Sequence, residues 1–382
     1  DSKGNWLWAN KAGGLNWDYG YSIAVDANGN SYVTGCHLSS ATFGTITLTS
    51  SGGYDIFIAK LDSSGNWLWA KKAGGTSDDY SRSITVDDNG NSYVTGDFRS
   101  SATFGTTILN TSGYNDIFVA KLDINGNWLW AKQAGGSYRD YGYSIAVDAN
   151  GNSYVTGCFS GIATFGTTTI TSSGDGDIFV VKLDSNGNWL WAKKAGGTDY
   201  DCGYDIAVDA NGNSYVTGFF KESATFGTTK LTSSGDRDIF VAKLNSNGNW
   251  LWAKQAGGTD YDYGNSIAVD ANGNSYVTGY FEGNVTFGTT TLTSSGGSDI
   301  FVAKLDSSGN WLWAKQAGGT STDRGYSIAV DVNGNSYVTG YFEESATFGT
   351  TTLISSGYED IFVAKLGEVN SIDLPDIISF SG

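Results

Sequence analysis

Aspartate is the side chain best placed to do chemistry in this 382-residue chain, and its placement is periodic. Asp18, Asp79, Asp140, Asp201, Asp262 and Asp323 stand 61 residues apart, each inside a short stretch rich in tyrosine. Around them fall Trp17, Tyr19, Tyr21, Tyr80, Tyr138, Tyr141, Tyr143, Tyr200, Tyr204, Tyr261, Tyr263 and Tyr326. Tyr and Trp combine an apolar ring with a polar tip, which suits a sugar or protein ligand, so these aromatics and the six Asp form the candidate ligand-binding set. If the stretch leads into the innermost strand of a ring-shaped fold, the six carboxylates face one axis and repel. They must then be well hydrated, hydrogen-bonded by loop N–H groups, or neutralised by a hard cation such as calcium. Nothing else in the sequence calls for a cofactor.

Catalytic patterns are otherwise sparse. The single histidine, His37, stands where the five equivalent positions hold Phe, which excludes a His-based triad or a multi-histidine metal site and marks it as a substituted aromatic. No glycine-rich phosphate loop precedes a helix. Paired carboxylates would serve a glycoside hydrolase, but a catalytic centre needs a unique asymmetric arrangement, and these come in six equivalent settings. The chain therefore reads as non-enzymatic. The segment DANGN after Asp26 resembles a calcium loop only superficially, since the twelve-residue spacing and terminal Glu are absent; capping of a turn by Asp and Asn is the better reading. Lys60 and its equivalents sit in an otherwise apolar strand and should pair with Asp26 or Asp55. Of Cys36, Cys158 and Cys202, only the last two could approach, on neighbouring repeats.

The elements that carry these residues are set by repetition. The first Trp of GNWLWA falls at 6, 67, 128, 189, 250 and 311, and NGNSYVTG and Asp-Ile-Phe keep the same period, six copies without an insertion. Each copy holds short β-branched or aromatic runs bounded by Gly and Asn, with no 3.6-residue pattern, so the fold is all-β. SIAVD and SYVTG (22–26 and 31–35) flank an Asn-Gly turn; DIFIAKL and NWLWAK (55–61 and 66–71) flank a second turn ending in Gly. Four strands per repeat follow, with an added β excursion around Phe43-Gly44. Twelve of the thirteen Trp recur as fixed pairs, which assigns them to packing between repeats rather than to a ligand.

Such units stack as an open solenoid or close as a β-propeller. The terminal copies keep the same strand cores as the middle ones, where an open stack would use atypical caps. The chain also starts inside a fourth strand and its last repeat stops after a third. Closure is the preferred reading: a six-bladed β-propeller over 1–366 (repeats 1–61, 62–122, 123–183, 184–244, 245–305 and 306–366), its N-terminal strand completing the last blade, followed by a tail or linker at 367–382. Differences between copies gather at positions equivalent to 15–22 and 36–40, with lesser changes at 53 and 54. In an up-and-down blade these connections share one face and the invariant turns the other, so the variable face is either free to drift or diversified for recognition.

SIAVDANGNSYVTG (Ser22–Gly35), ATFGTTTITSSG (Ala163–Gly174) and DIFVAKLDSSGNWLWAKQAGG (Asp299–Gly319) are similar to the SBBP β-propeller repeat family, itself resembling the NHL-type blade. The resemblance covers essentially residues 1–366. It implies a binding or scaffold role and a secreted or cell-surface bacterial protein, with no catalytic motif to carry over. The family is commonly seven-bladed, whereas six copies are present here.

Composition bounds the partners. Lys and Arg number 22 against 39 Asp and Glu, a net charge of -17, which disfavours nucleic acid. No apolar run approaches the ~18 residues of a membrane helix. With no methionine, Asp1 is not a translation start, and a signal peptide would already be removed. The expectation is a recognition module binding glycan or protein, made multivalent by its repeats. The alternative is a structural subunit of an extracellular assembly, self-associating through 367–382 by adding the strand IDLPDIISF (372–380) to a neighbour.

Overall fold

A computed structural model describes residues 5–367, and among them there are strands and turns but no helix. Each repeat period gives one antiparallel blade in chain order, its fourth strand supplied by the start of the next repeat: in the first blade, Asp18–Val25, Ser31–Phe43, Ile46–Leu61 and Trp67–Gly74 pair consecutively. The first strands of successive blades lie side by side and so line the central axis. The excursion around Phe43-Gly44 is a continuation of the second and third strands into one long hairpin. In the third and fifth repeats it separates as Ile162–Phe165 with Thr168–Thr171 and as Asn284–Phe287 with Thr290–Thr293. Its tip reaches the preceding blade, where Ala73 and Gly74 pair with Phe104 and Thr103.

The turns explain their own invariance. Asp26 accepts hydrogen bonds from the N–H of Asn28 (3.0 Å) and of Asn30 (2.9 Å), and from the Asn30 side chain at 2.8 Å. Burial pushes this carboxyl up, but the hydrogen bonds from Asn30, Asn28 and Tyr32 outweigh it and hold it below the usual carboxylate range. Lys60 lies 3.9 Å from Asp26, as expected, and over the Tyr32 ring. Asp55 takes a different cation, Lys72, at 3.4 Å.

The recurrent Trp pairs are structural. The Trp69 indole N–H donates to the Ile124 carbonyl of the next blade at 3.1 Å, and Trp67 packs edge-on against Phe43 of its own blade. Tyr32 reaches the next blade too, its hydroxyl 3.0 Å from the Gly90 carbonyl oxygen. Ile56, Ile58, Ile84 and Val94 fill the seam between these two blades, and equivalent residues fill each seam that follows. Burying such branched side chains contributes about 1.5–3 kcal/mol apiece.

Propeller blades are thus present throughout, but the expected clasp is not formed. Residues 5–11 make no ladder with the last blade among the described residues; the third strand of that blade, Thr351–Leu366, pairs only with Ser336–Phe348. The N-terminal segment instead lies against the first blade as a displaced fourth strand, with the Trp8 indole donating to the Ser63 carbonyl at 3.1 Å. Among the described residues, the outer faces of the first and last blades are left uncovered. Ile23 is 62% exposed where its equivalent Ile84 is 4%, and Ile361 is 84% exposed where Ile56 is 0%. The proposed strand-adding tail, 368–382, lies outside the described residues.

Candidate functional site: the loop face around the axis

In every blade the pairing of first and second strands slips by one residue, between Gly20 and Ser22 and at each equivalent point. The extra residue is Tyr21, Arg82, Tyr143, Tyr204, Asn265 or Tyr326. A bulge re-aims its side chain, and this one stands where the first strands crowd the axis. A position that varies among copies is thereby presented six times by an invariant backbone.

These side chains join others from the loops in runs of touching rings. Trp17 stacks with Tyr19 (6.2 Å between centroids), Tyr19 with Tyr21 (6.0 Å), and Tyr54 bridges Tyr19 to Tyr80 at 6.1 and 5.7 Å. Farther round, Tyr141 meets Tyr143 at 6.0 Å, Tyr143 meets Tyr204 at 5.5 Å, and Tyr263 stacks on Tyr280 at 4.8 Å. Tyr200 lies against Cys158 and Phe219, and Tyr326 against Tyr341. Tyr261 and Tyr138 stand farther out and exposed, Tyr138 lying over Gly161, where any Cβ would strike its ring. The structure therefore gathers most of the expected aromatics on one face.

It also places arginines there that the aromatic pattern did not single out. Arg82, Arg99, Arg139, Arg237 and Arg324 are all the arginines of the chain, and every one falls in a variable segment. Arg82 pairs with the buried Asp97 at 2.8 Å and lies 5.2 Å from the Tyr143 ring centre. Arg237 bonds the Tyr263 hydroxyl and lies 4.7 Å over Phe219, while Arg324 lies 4.4 Å over Tyr280. The readable signal was their confinement: in an acidic chain, guanidinium groups occur only where the copies differ.

The periodic aspartates take another role. Asp79, Asp140, Asp201, Asp262 and Asp323 are wholly buried, so they present no carboxylate ring to the axis. Asp79 accepts the Gly75 N–H at 2.7 Å and the Arg99 N–H at 3.0 Å, and Asp140 accepts those of Gly136 and Ser160. Asp18 accepts the Gly14 N–H at 2.7 Å. Loop amides thus hydrogen-bond these carboxylates, one of the three arrangements open from sequence. Burial still dominates their titration: it pushes Asp79, Asp140 and Asp201 up to about 7 and Asp262 up to about 8. Among the described residues no three His, Cys, Asp or Glu side chains are grouped to hold a metal ion.

Cys36 and Cys202 are held in their neutral forms by burial. Burial pushes Cys36 up to about 11, well into the neutral form at physiological pH. Cys158 and Cys202 lie in one apolar cluster with Tyr263, as their register on neighbouring blades suggested, and both are free. Burial likewise pushes the Tyr80 phenol up to about 12, so it stays neutral beside Tyr54.

Comparison with known proteins follows the same architecture. The SBBP β-propeller repeat profile matches six times, at 11–35, 68–97, 129–157, 190–218, 251–280 and 312–341. An uncharacterized WD repeat-containing protein of Acanthamoeba polyphaga mimivirus is 27% identical over 90% of this chain and 31% of its own length. Regulatory protein FlaEY of Caulobacter vibrioides is 27% identical over 80% of this chain and 34% of its own. The chain thus spans about a third of these curated relatives. Among solved structures, a Bacteroides caccae protein of unknown function aligns at 11% identity and a TM-score of 0.40, over 78% of this chain and 82% of that one. A calcium-binding regucalcin from Agrobacterium tumefaciens aligns at 10% identity and a TM-score of 0.36, over 84% and 81%. Each profile match takes in a whole first strand and runs into the second strand that pairs with it, and the recurrence of these matches in register through one uninterrupted array makes this chain a member of the SBBP β-propeller repeat family.

Proposed function

We propose that the chain is a non-enzymatic recognition module whose partner binds the loop face around the axis. A β-propeller of SBBP repeats fits a binding or scaffold role, and the observation that carries the finer reading is chemical. Tyrosine and arginine, the residues most enriched at binding hot spots, are concentrated where an invariant bulge turns variable side chains toward the axis. A protein partner is the best reading, because guanidinium groups held over rings match the anchors of protein interfaces. A glycan is the second reading, supported by the exposed ring faces of Trp17, Tyr138 and Tyr326. The regulatory role in the name of the Caulobacter relative is compatible with partner binding. The reading includes no catalysis and no bound cofactor, and it keeps the secreted or cell-surface location that the repeat family and the Ser-, Thr- and Asn-rich surface suggest.

The test is a parallel screen of the purified chain on a glycan array and against a panel of secreted bacterial proteins. For any ligand found, Arg237→Ala and Tyr141→Ala should each weaken binding at least about tenfold, the scale of a hot-spot truncation. Asn150→Ala, in a turn on the opposite face, should leave affinity unchanged. Binding that survives both rim changes and fails with the turn variant would move the site to the other face.

A further inference from the structure

Two guanidinium groups on the loop face carry a charge that no carboxylate beside them pairs. In the second blade the protein supplies its own counter-ion: Arg82 pairs with one oxygen of Asp97 at 2.8 Å, and Asn115 holds the other at 2.9 Å. Two and three repeats after Asp97, the same position holds Phe219 and Tyr280. Those are the rings that Arg237 and Arg324 lie over, at 4.7 and 4.4 Å. A ring has replaced the carboxylate, so each guanidinium is held by its face and its charge is left without a partner.

The neighbouring carboxylates are already engaged. Asp236, next to Arg237 in the chain, lies 3.8 Å from Lys221, and Asp199 lies 3.9 Å from the same ammonium. Glu282, two residues after Tyr280, accepts the Ser298 hydroxyl at 3.2 Å. Among the described residues neither Arg237 nor Arg324 forms an ion pair, and the Nε of each is buried with no acceptor. Arg237 donates one N–H to the Tyr263 hydroxyl, and Tyr263 stacks on Tyr280 at 4.8 Å, so one run of rings joins the two cations. Half-buried cations without a counter-ion are unfavourable in the free protein, even one with a net charge of -17, and an anion from outside relieves that cost. A guanidinium stacked by its face keeps N–H groups in its plane, the geometry that pairs with a carboxylate.

We infer that Arg237 and Arg324 are anchors for an acidic segment of a protein partner, each taking one carboxylate of an extended stretch rich in Glu or Asp. The inference rests on the reading of the loop face as a protein-binding surface and names what that surface recognises. Alternate side chains of an extended segment point to the same side, so one segment presents successive carboxylates to both cations. A peptide is favoured over an acidic sugar because the guanidinium groups already cover ring faces of Phe219 and Tyr280 on which a pyranose would stack.

Fluorescence anisotropy of a labelled decapeptide alternating Glu and Ala, titrated with the full chain, tests this. The same peptide with Gln in place of Glu is the comparator, and an oligogalacturonate is the competitor. The Glu peptide should bind, the Gln peptide should bind at least about tenfold more weakly, and added salt should weaken the Glu peptide. Arg237→Gln and Arg324→Gln keep a stem and a polar tip, so both variants should fold, and each should weaken the Glu peptide at least about tenfold. Lys230→Ala, which removes a positive charge from the exposed outer hairpin instead, should leave that affinity unchanged. A Glu peptide that does not bind, binding indifferent to both arginines, or an equal loss with Lys230→Ala overturns the inference. Preference for the oligogalacturonate also overturns it and puts an acidic glycan at these arginines. The loop-face reading is judged separately: a partner from the screen that loses affinity with Tyr141→Ala but with neither arginine variant removes the anchors and leaves the face.

Discussion

In the third blade, Asp148 at the turn face and Asp140 at the loop face both accept backbone N–H hydrogen bonds, yet they are displaced in opposite directions. Asp148 receives the amides of Asn150 and Asn152, the Asn152 side chain and the Tyr154 hydroxyl, with Lys182 at 3.7 Å. Burial pushes its carboxyl up, but those hydrogen bonds outweigh it and hold it below the usual carboxylate range. Asp140 receives two amides and no cation, and burial pushes it up to about 7. The comparison teaches that partner number, set against desolvation, decides whether a buried carboxylate favours its charged form. Asp26, Asp148 and Asp209 at the turns favour their anions, whereas Asp79, Asp140, Asp201 and Asp262 at the loops do not.

The largest expected effect lies at the turn. Asp148→Ala strands Lys182 without its carboxylate and leaves the turn amides uncapped. It should cost about 3–4 kcal/mol in chemical denaturation, toward the range for breaking a buried pair. If Lys182 is changed to Met together with Asp148→Ala, a good part of the loss should return, because no unpaired charge then remains buried. A double variant as unstable as the single would mean that turn capping, not the ion pair, carries the cost.

The pH dependence comes next, and the two faces contribute with opposite signs. A carboxyl at about 7 in the folded chain and near ~3.9 unfolded binds more protons folded than unfolded in between, so its stabilisation is complete below ~4 and lost as pH rises through 7. Asp79, Asp201 and Asp262 act in the same sense. Asp148 and the other lowered turn carboxylates stabilise above ~4 and lose that contribution as pH falls through their folded values. The thermal midpoint should therefore peak near pH ~4 and fall by several degrees toward pH 8 as well as in stronger acid. A profile flat between pH 5 and 8 would contradict the raised loop carboxyls. Asp140→Asn sharpens the point: it should cost about 1 kcal/mol at pH 5, where one amide loses its acceptor, and distinctly less at pH 8.

Sequence and structure agree where local patterns decide and part where distance accumulates. The Asn-Gly turns, the four strands of a blade and the packing role of the Trp pairs were legible, because each is dictated within a few residues. The site was half legible. Variation among copies marks the segments where the rings gather, and the tyrosines stand out, but Arg82, Arg237 and Arg324 belong to no aromatic pattern and are marked only by their confinement to those segments. Asp79 and its equivalents were read toward the axis, whereas the register slip at Arg82 lets the residue at the bulge face the axis while Asp79 turns into the blade. Ring closure was not legible from any residue. It depends on small rotations summed over six seams, and a repeat that fits its neighbour well says little about where the sixth copy ends.

The smallest effects on stability should come from the rim, and they separate recognition from architecture most cleanly. Trp17 and Tyr326 are exposed and touch mainly other rings, so Trp17→Ala and Tyr326→Ala should each change stability by less than about 1 kcal/mol. If the loop face binds a partner, the same substitutions should weaken that binding far more than they weaken the fold. Asp148→Ala, assayed under conditions where the chain remains folded, should do the reverse. Should Tyr326→Ala instead destabilise the chain as much as Asp148→Ala does, the variable face would be part of the frame, and its divergence among copies would need an explanation in packing rather than in recognition.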